Sequence, residues 1–366
     1  MCLHIKLQRR VESFGGVFFR FLFGIVLLSC LPGNVLAENI ASEPEGGLQS
    51  PDYRLVPDNL YDVDFDDFRH GIATGYYGTI LQTSDGGSHW NRVRSDTSEL
   101  LRRVDMVSEN KAWSVGHRGG IFYSGNGGRD WELQARIEGI FLRDISFSSE
   151  RNGWAVGHEA TILHTRDGGK SWISQKLKDY SGRDLPRLNA IKALDENTAV
   201  LAGEFGVVAI THDGGENWHI LPSGVKTTLT AVAYAGDRAV AVGLDGVALD
   251  ISLDDTGRIV PLETGVKQHL FDLAFDRQGR GVIVGQSVLL RFEGTRVSLM
   301  EAEPDVELPY RWFHGVEVLR DGAIYAVGLQ GNMIRARSSQ SGFHRIARLG
   351  DPASVTSVVS PESEGE

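Results

Sequence analysis

The chain has 366 residues and carries 48 acidic and 37 basic side chains, which gives a formal net charge of −11. A protein with this net negative charge is a poor candidate for general nucleic-acid binding. Both cysteines, Cys2 and Cys30, precede residue 31, so a chain that loses this segment has no disulfide, catalytic thiolate or cysteine metal ligand. The 44 glycines predict many tight turns.

The first element in chain order is a basic and then apolar leader. Four basic residues precede or enter the run FLFGIVLLSCL, which is too short for a stable transmembrane helix. Residues 1–37 are predicted to be a signal peptide cleaved after Ala37. A retained membrane anchor remains open, as does a lipoprotein signal in which Cys30 of LLSC is acylated. Each reading predicts export, to the periplasm or to a membrane surface that faces it.

A repeat occupies the rest of the chain. Residues 38–52 are predicted to be a flexible linker, 53–360 the repeat domain and 361–366 a disordered acidic tail. An apolar run ends in glycine seven times, at intervals of 40 to 46 residues: Gly75, Gly116, Gly157, Gly203, Gly243, Gly285 and Gly328. Seven copies at this period indicate a β-propeller or a solenoid.

Each copy contains the same four strand-like segments. An alternating stretch such as LRDISF is followed by an apolar run such as GWAVG, then by a third and a fourth short strand. Four strands in about 42 residues leave no room for a helix. The sequence therefore predicts an all-β fold, a seven-bladed β-propeller with four antiparallel strands per blade. The predicted blades lie near 60–95, 101–136, 142–177, 188–222, 229–263, 270–300 and 313–348.

Two points of the domain organisation stay open. Both YRLV at 53–56 and SVTSVVS at 354–360 have the pattern of a strand, and either can complete a blade built from the two chain ends. A monomer is expected.

The turn between the third and fourth strands carries the motif T-x-D-G-G-x-x-W. Its acidic residue accepts hydrogen bonds from the turn, its glycines supply positive φ, and its tryptophan packs between blades. A calcium loop is the alternative, but the alternating oxygen ligands of an EF-hand are absent from this motif. The residues predicted to have this structural role are Asp85, Trp90, Asn126, Trp131, Asp167, Trp172, Asp213 and Trp218.

The motif V-G-H-x-G/A-x-I-L-x-T-x-D-G-G-x-x-W resembles the repeats of the photosystem II assembly and stability factor family, and its turn resembles the Asp-box (BNR) turn of sialidases. The resemblance covers about residues 53–349 and is tightest from 75 to 218. It implies a seven-bladed propeller without catalytic activity that binds a membrane protein during its assembly. The implied partner is a photosystem II subunit, in the thylakoid lumen, in a phototroph, or an envelope transporter elsewhere.

The repeat register predicts where a partner binds. The residue before each inner strand and the residue after each repeat glycine should converge at one mouth of the channel. Blades two to four place basic residues there, and such arginines bind carboxylates or phosphates. The predicted partner-binding residues are Arg102, Arg103, His117, Arg118, Arg143, His158, Arg183, Arg187 and Glu204, with Lys176 and Lys178 on the same face.

The alternative function is a glycan-binding or sialidase-like propeller. Its chemistry would draw on Tyr76, Tyr77, Glu159 and Glu204, but the F-R-I-P signature and a G-x-S-x-G elbow are both missing. His117, His158 and Glu204 are the candidate metal ligands, although their shared repeat position explains their recurrence. We expect no catalytic residues, no metal and no cofactor.

Overall fold

The computed structural model describes residues 58–66, 69–254 and 256–348. The predicted signal peptide, Cys30, the linker, the segments YRLV and SVTSVVS, and the acidic tail all lie outside these residues. Within the described ranges no helix is long and apolar enough to cross a membrane.

The described chain forms 28 strands in seven four-stranded antiparallel sheets, and each sheet takes consecutive strands. Blade one comprises β1 (Leu60–Phe65), β2 (Gly71–Gly75), β3 (Ile80–Thr83) and β4 (Asn91–Val93). Blade two comprises β5 (Leu101–Met106), β6 (Ala112–Gly116), β7 (Gly120–Ser124) and β8 (Glu132–Arg136). Blade three comprises β9 (Leu142–Phe147), β10 (Gly153–Gly157), β11 (Ile162–Thr165) and β12 (Ile173–Gln175).

Blades four to seven repeat this order. Blade four comprises β13 (Leu188–Ala193), β14 (Ala199–Gly203), β15 (Val208–Thr211) and β16 (His219–Leu221). Blade five comprises β17 (Leu229–Ala235), β18 (Arg238–Gly243), β19 (Ala248–Ser252) and β20 (Ile259–Pro261). Blade six comprises β21 (Leu270–Phe275), β22 (Arg280–Gly285), β23 (Leu289–Glu293) and β24 (Arg296–Leu299). Blade seven comprises β25 (Phe313–Val318), β26 (Ile324–Gly328), β27 (Asn332–Ala336) and β28 (His344–Arg348).

Short 3₁₀ helices connect some of these strands. Four of them follow a second strand, at Tyr76–Gly78, Glu204–Gly206, Leu244–Gly246 and Leu329–Gly331. Two more, Pro304–Val306 and Leu308–Tyr310, lie between blades six and seven.

The innermost strands close the sheets into a ring. Each first strand packs against the first strands of both neighbouring blades, and β25 of blade seven packs against β1 of blade one. At the same seam the amide N–H of Gln330 donates to the side-chain oxygen of Asn59 at 2.8 Å, and the Tyr325 hydroxyl donates to the carbonyl of Gly86. The predicted seven-bladed propeller with four antiparallel strands per blade is confirmed.

The apolar second strands are buried because neighbouring sheets cover both of their faces. One such core joins Trp154 of blade three to Leu201 and Trp218 of blade four, and all three side chains are buried. Full burial of a large apolar side chain contributes roughly 1.5–3 kcal/mol. This packing explains why GWAVG and AVLAG are continuous apolar runs rather than alternating ones.

The repeat glycine is required by a close approach between chain segments. The amide N–H after the glycine donates to the carbonyl that precedes the inner strand, as from His158 to Phe141 at 3.0 Å. A Cβ at Gly157 would lie 2.4 Å from that same Phe141 oxygen, well inside van der Waals contact. Any larger residue would push the turn away from the inner strand, so glycine fixes the residue after it at the channel mouth.

The Asp-box turns have the geometry that their motif predicts. Asp167 accepts hydrogen bonds from the Ser171 amide at 2.9 Å and from the Thr165 hydroxyl at 2.9 Å, while Gly168 and Gly169 have φ of 75° and 81°. Asp85 and Asp213 repeat the pattern, and Asn126 accepts the amide N–H of Asp130 at 3.0 Å. Trp90, Trp131 and Trp218 are buried between blades, whereas Trp172 is only half-buried.

Candidate functional site

A cavity of about 270 Å³ opens at one mouth of the central channel. The second residue of each inner strand lines this cavity in every blade, although the sequence predicts these residues just before the strands. These seven residues are Tyr61, Arg102, Arg143, Asn189, Thr230, Phe271 and His314. Arg103, Arg187, Glu204, Thr228 and Leu244 complete its lining. The ring therefore gathers side chains that lie up to about 250 residues apart in the sequence into one pocket.

Two arginines dominate the charge of this cavity. Among the described residues, neither Arg102 nor Arg143 has a carboxylate within salt-bridge distance. Burial, with the charges of Arg102 and Arg187 nearby, lowers the pKa of Arg143 to about 9. The Nε of Arg143 is buried and has no hydrogen-bond partner in the described structure. Such a guanidinium is already dehydrated in the folded protein, so an incoming carboxylate or phosphate that bonds to it has only its own hydration to lose.

The two predicted histidines lie beside these arginines. Burial and the charges of Arg102 and Arg143 lower the pKa of His117 to about 4, and burial also lowers the pKa of His158. The Phe141 ring separates them, at 5.7 Å from His117 and 5.0 Å from His158. Both imidazoles are therefore neutral at pH 7, and they border the site without adding positive charge.

Arg187 and Glu204 form a pair at the rim of the cavity. The Arg187 Nε lies 2.7 Å from Glu204 Oε1, and the Arg187 amide donates to Oε2 at 3.0 Å. Burial alone would raise the pKa of Glu204, but these bonds hold it below its usual value. Glu204 is thus a positioned counter-charge rather than a free ligand.

Three predicted basic residues differ from the arginine pair in their placement. Arg118 and Arg183 are exposed and do not line the cavity. Lys178 instead donates to the Glu216 carbonyl at 2.9 Å and to Asn217 Oδ1 at 3.2 Å, in the Asp-box turn of blade four. The placement of Lys178 at the mouth is therefore wrong; the segment before blade four folds back onto the neighbouring turn.

Arg103 lies deeper in the channel and is already neutralised. Its guanidinium contacts Asp62 at 2.8 Å, Asp272 at 2.8 and 2.7 Å, and Asp144 at 3.5 Å. These acidic partners raise the pKa of Arg103 against the effect of its burial. With three carboxylates around it, Arg103 holds blades together and does not present a free charge to a partner.

The repeat register predicts Tyr61, Tyr76, Phe271 and His314 at the mouth, but not that their rings form an arc with Trp312. Tyr61 stacks on His314 at 4.7 Å, His314 stacks on Phe271 at 4.8 Å, and Phe271 lies 5.9 Å from Trp312. On the other side Tyr61 meets Tyr76 at 5.3 Å, and Arg102 lies over the Tyr61 ring at 5.4 Å. The available signal was positional: most of these rings adjoin an inner strand or follow a repeat glycine.

Exposed apolar side chains accompany the arc on the same face. Tyr77 and Phe205 are more than half exposed, and each occupies a left-handed backbone position, with φ of 53° and 59°. Such positions are uncommon for residues other than glycine, asparagine and aspartate, and cost on the order of 1 kcal/mol. The same turn position is also left-handed at Glu159, Asp245 and Gln330, so the conformation belongs to the repeat turn, and the two rings add exposed apolar area to this face.

The candidate sialidase residues are not brought together. Tyr76 contacts the Tyr61 hydroxyl at 3.4 Å, whereas Glu204 pairs with Arg187. Tyr77 and Glu159 are exposed on their turns. Among the residues that the structure describes, no group of three or more histidine, cysteine or acidic residues could hold a metal ion.

The fold and the mouth define a class of protein: a seven-bladed propeller with Asp-box turns and a basic, aromatic channel mouth. The family model of the photosynthesis system II assembly factor YCF48 matches residues 54–139 and 88–235. The resemblance of the repeats to this family of assembly factors is thereby confirmed, over blades one to four and the start of blade five. A search of curated proteins finds no match.

Solved structures share the whole propeller. The chain is similar to YCF48 bound to a D1 peptide, with a TM-score of 0.62 and 18% identity over 77% of this chain and 94% of that one. It is also similar to YCF48 from Cyanidioschyzon merolae, with a TM-score of 0.60, 15% identity and coverage of 77% and 96%. An ancestral GH74 enzyme gives a TM-score of 0.64 and 12% identity over 79% of this chain and 46% of that enzyme. At these identities the solved structures establish a shared fold.

Proposed function

We propose that the chain is a non-catalytic assembly or stability factor that acts outside the cytoplasm. It binds a subunit of a membrane protein complex at the channel mouth. The partner is a photosystem subunit in a phototroph and an envelope transporter in other bacteria. The match to the assembly factor family supports this proposal, and so does the likeness to a propeller solved with a D1 peptide.

One observation carries the proposal: Arg102 and Arg143 share a cavity without a carboxylate partner among the described residues. A partner that inserts an Asp or Glu side chain, or a terminal carboxylate, gains charge-assisted hydrogen bonds there. The exposed rings of Tyr77, Phe141 and Phe205 surround this charge with apolar contact area. A charged centre within an aromatic rim is typical of the residues that dominate binding energy at protein interfaces.

The test measures binding of a fluorescent D1 peptide to the wild-type chain and to charge-reversed variants. Arg102→Glu and Arg143→Glu should each weaken binding at least tenfold while leaving the thermal melt within a few degrees. The matched control is Arg129→Glu, because Arg129 is exposed in an Asp-box turn away from the mouth. Equal affinity of all four proteins would refute binding at the mouth, and no binding by the wild type would refute a photosystem partner.

A photo-crosslinking experiment covers partners other than D1. A benzophenone amino acid replaces Phe205 at the mouth or, as the control, the exposed Ile173 of β12. Irradiation in native membranes should link a membrane protein subunit to position 205 and none to position 173. Crosslinks at both positions, or at 173 alone, would contradict the proposed surface.

A further inference from the structure

The mouth cavity has two sides of different chemistry. Blades two to four contribute its charged lining residues, which are Arg102, Arg103, Arg143, Arg187 and Glu204. Among the described residues, blades five to seven contribute no acidic side chain, lysine or arginine to the lining, only Thr228, Thr230, Leu244, Phe271 and His314. The inner strands of the blades follow one another around the ring, so the two groups face each other across one opening.

His314 belongs to the uncharged side because its imidazole is neutral. Its ring is stacked between Tyr61 at 4.7 Å and Phe271 at 4.8 Å. Burial, together with the charges of Arg102 and Arg103, lowers the pKa of His314 to about 3. At pH 7 the imidazole is therefore the middle ring of an aromatic stack and brings no charge to the cavity.

The uncharged side offers apolar surface to a ligand. Leu244 and Phe271 are half-buried, and both line the cavity. The Thr230 hydroxyl beside them donates to the Leu270 carbonyl at 2.7 Å, so its proton is already used within the protein. A ligand group that covers Leu244 and Phe271 removes apolar surface from water, which favours binding.

The cavity is larger than a carboxylate requires. Its volume is about 270 Å³, roughly nine times the ~30 Å³ that one water molecule occupies in the liquid. A carboxylate with three heavy atoms fills only a small part of this space. A sphere of that volume is about 8 Å across, which an extended chain spans with two or three residues at ~3.3 Å per residue. Groups that occupy both sides therefore come from residues close together in one segment.

We infer that the cavity recognises a two-part element of the partner segment: an acidic group that binds Arg102 and Arg143, and a bulky apolar side chain that covers Leu244 and Phe271. The acidic half of this element rests on the proposed function, which places a carboxylate on the two arginines. The apolar side chain lies within two positions of the acidic group. Attraction to the arginines brings acidic segments to the mouth, and the apolar contact selects among them.

The experiment selects a phage-displayed library of random 12-residue peptides on the full chain. On the wild type, enriched peptides should contain Asp or Glu and, within two positions, Phe, Leu, Ile, Met or Trp. Selection on the Leu244→Gln, Phe271→Asn double variant should remove the apolar preference and keep the acidic residue. Both substitutions suit their positions in the repeat, because Gln286 of blade six and Asn189 of blade four occupy the equivalent positions.

Leu329→Gln is the matched control. Leu329 follows the repeat glycine of blade seven, as Leu244 does in blade five, but it does not line the cavity. Selection on this variant should return the same consensus as selection on the wild type.

A selected peptide and its analogue, with Ser in place of the apolar residue, measure the apolar contact directly. On the wild type and on Leu329→Gln the analogue should bind at least tenfold more weakly than the selected peptide. On the double variant the two peptides should differ less than twofold, because the wall is no longer apolar. Thermal melts check that the variants are folded. If the double variant is unfolded, Leu244→Gln alone should reduce the difference between the peptides at least threefold.

The outcomes separate the two proposals. An acidic consensus without an apolar neighbour overturns the two-part element and leaves binding at the mouth standing. An apolar preference that persists on the folded double variant, or that Leu329→Gln removes equally, has the same meaning. A consensus without an acidic residue, or no enrichment at all, overturns both proposals.

Discussion

Arg103 of blade two and Asp272 of blade six join non-adjacent blades across the channel through two hydrogen bonds, of 2.8 and 2.7 Å. Asp272 also accepts the amide N–H of Val316 in blade seven at 3.0 Å. Asp62 does the same for Val104 at 2.9 Å, and Asp144 for Ile191 at 2.8 Å. The carboxylates that neutralise Arg103 therefore also satisfy N–H groups on the open edges of the inner strands.

Removal of Arg103 is expected to destabilise the whole ring. Arg103→Leu leaves three buried carboxylates without their cation. Because breaking a buried ion pair costs about 3–5 kcal/mol, we expect a loss of this size in the free energy of unfolding. Urea unfolding monitored by tryptophan fluorescence measures the change. The exposed Arg129→Leu variant is the control and should change the free energy of unfolding by less than about 0.5 kcal/mol. A change below about 1 kcal/mol for Arg103→Leu would show that the network contributes little.

Buried carboxyl groups in the lower part of the channel should make the stability of the fold depend on pH. Burial, together with the charge of Asp105, raises the pKa of Asp64 to about 8, although Lys192 opposes the shift. Burial raises the pKa of Asp62 to about 7, despite Arg103. Glu317, which also faces Asp64 and Lys192, has its pKa raised by burial and by Asp64. The folded state therefore binds protons more tightly than the unfolded chain, in which these carboxyls titrate near 4.

This difference in proton binding decides whether stability rises or falls with pH. A carboxyl with a raised pKa in the folded state destabilises the protein as the pH rises from about 4 through that pKa. Asp64→Asn keeps the oxygen that accepts the Met106 amide N–H and removes the charge. Its stability relative to the wild type should therefore grow with pH from about pH 4, and should be greater at pH 8.5 than at pH 5.5 by on the order of 2–4 kcal/mol. Urea midpoints at the two pH values test this, and an equal effect at both would contradict a raised pKa.

The sequence predicts which arginines lie at the channel mouth, but not which of them are already paired with carboxylates. The glycine repeat sets the register, and the structure places Arg102 and Arg143 in one cavity. Arg103 was grouped with them because adjacent residues of one strand share a local sequence environment. The pairing of β5 with β6 is irregular between Leu101 and Arg103, and both arginines reach the channel, at different depths.

Alignment of the repeats by their inner strands would have separated the two arginines. The third position of that strand is Asp62 in blade one, Asp144 in blade three and Asp272 in blade six, and it is Arg103 in blade two. Ring closure forces these positions together, so one arginine among three aspartates predicts a salt-bridge network.

The Asp-box turn offers a matched pair of substitutions. Asp167→Ala removes the acceptor of the Ser171 amide and hydroxyl hydrogen bonds, which are 2.9 and 2.6 Å long, and should cost about 1–2 kcal/mol. Asp167→Asn keeps an acceptor oxygen, as Asn126 does in blade two, and should cost less than half as much. Chemical denaturation of both variants checks the ranking, and an Asn variant as unstable as the Ala variant would show that the charge is essential.

The rim pair Arg187 and Glu204 is expected to control how much positive charge the mouth offers. Glu204 lies close enough to raise the pKa of Arg143, while Arg187 lowers it. In Arg187→Gln the carboxylate loses its partner and is free to neutralise Arg143, so the affinity for the D1 peptide should fall about fivefold to tenfold. In the double variant Arg187→Gln, Glu204→Gln neither charge remains, and the affinity should return to within about twofold of the wild type. Fluorescence titration of the three proteins distinguishes this coupling from direct contact, because a partner that touches Arg187 itself would bind the single and the double variant equally weakly.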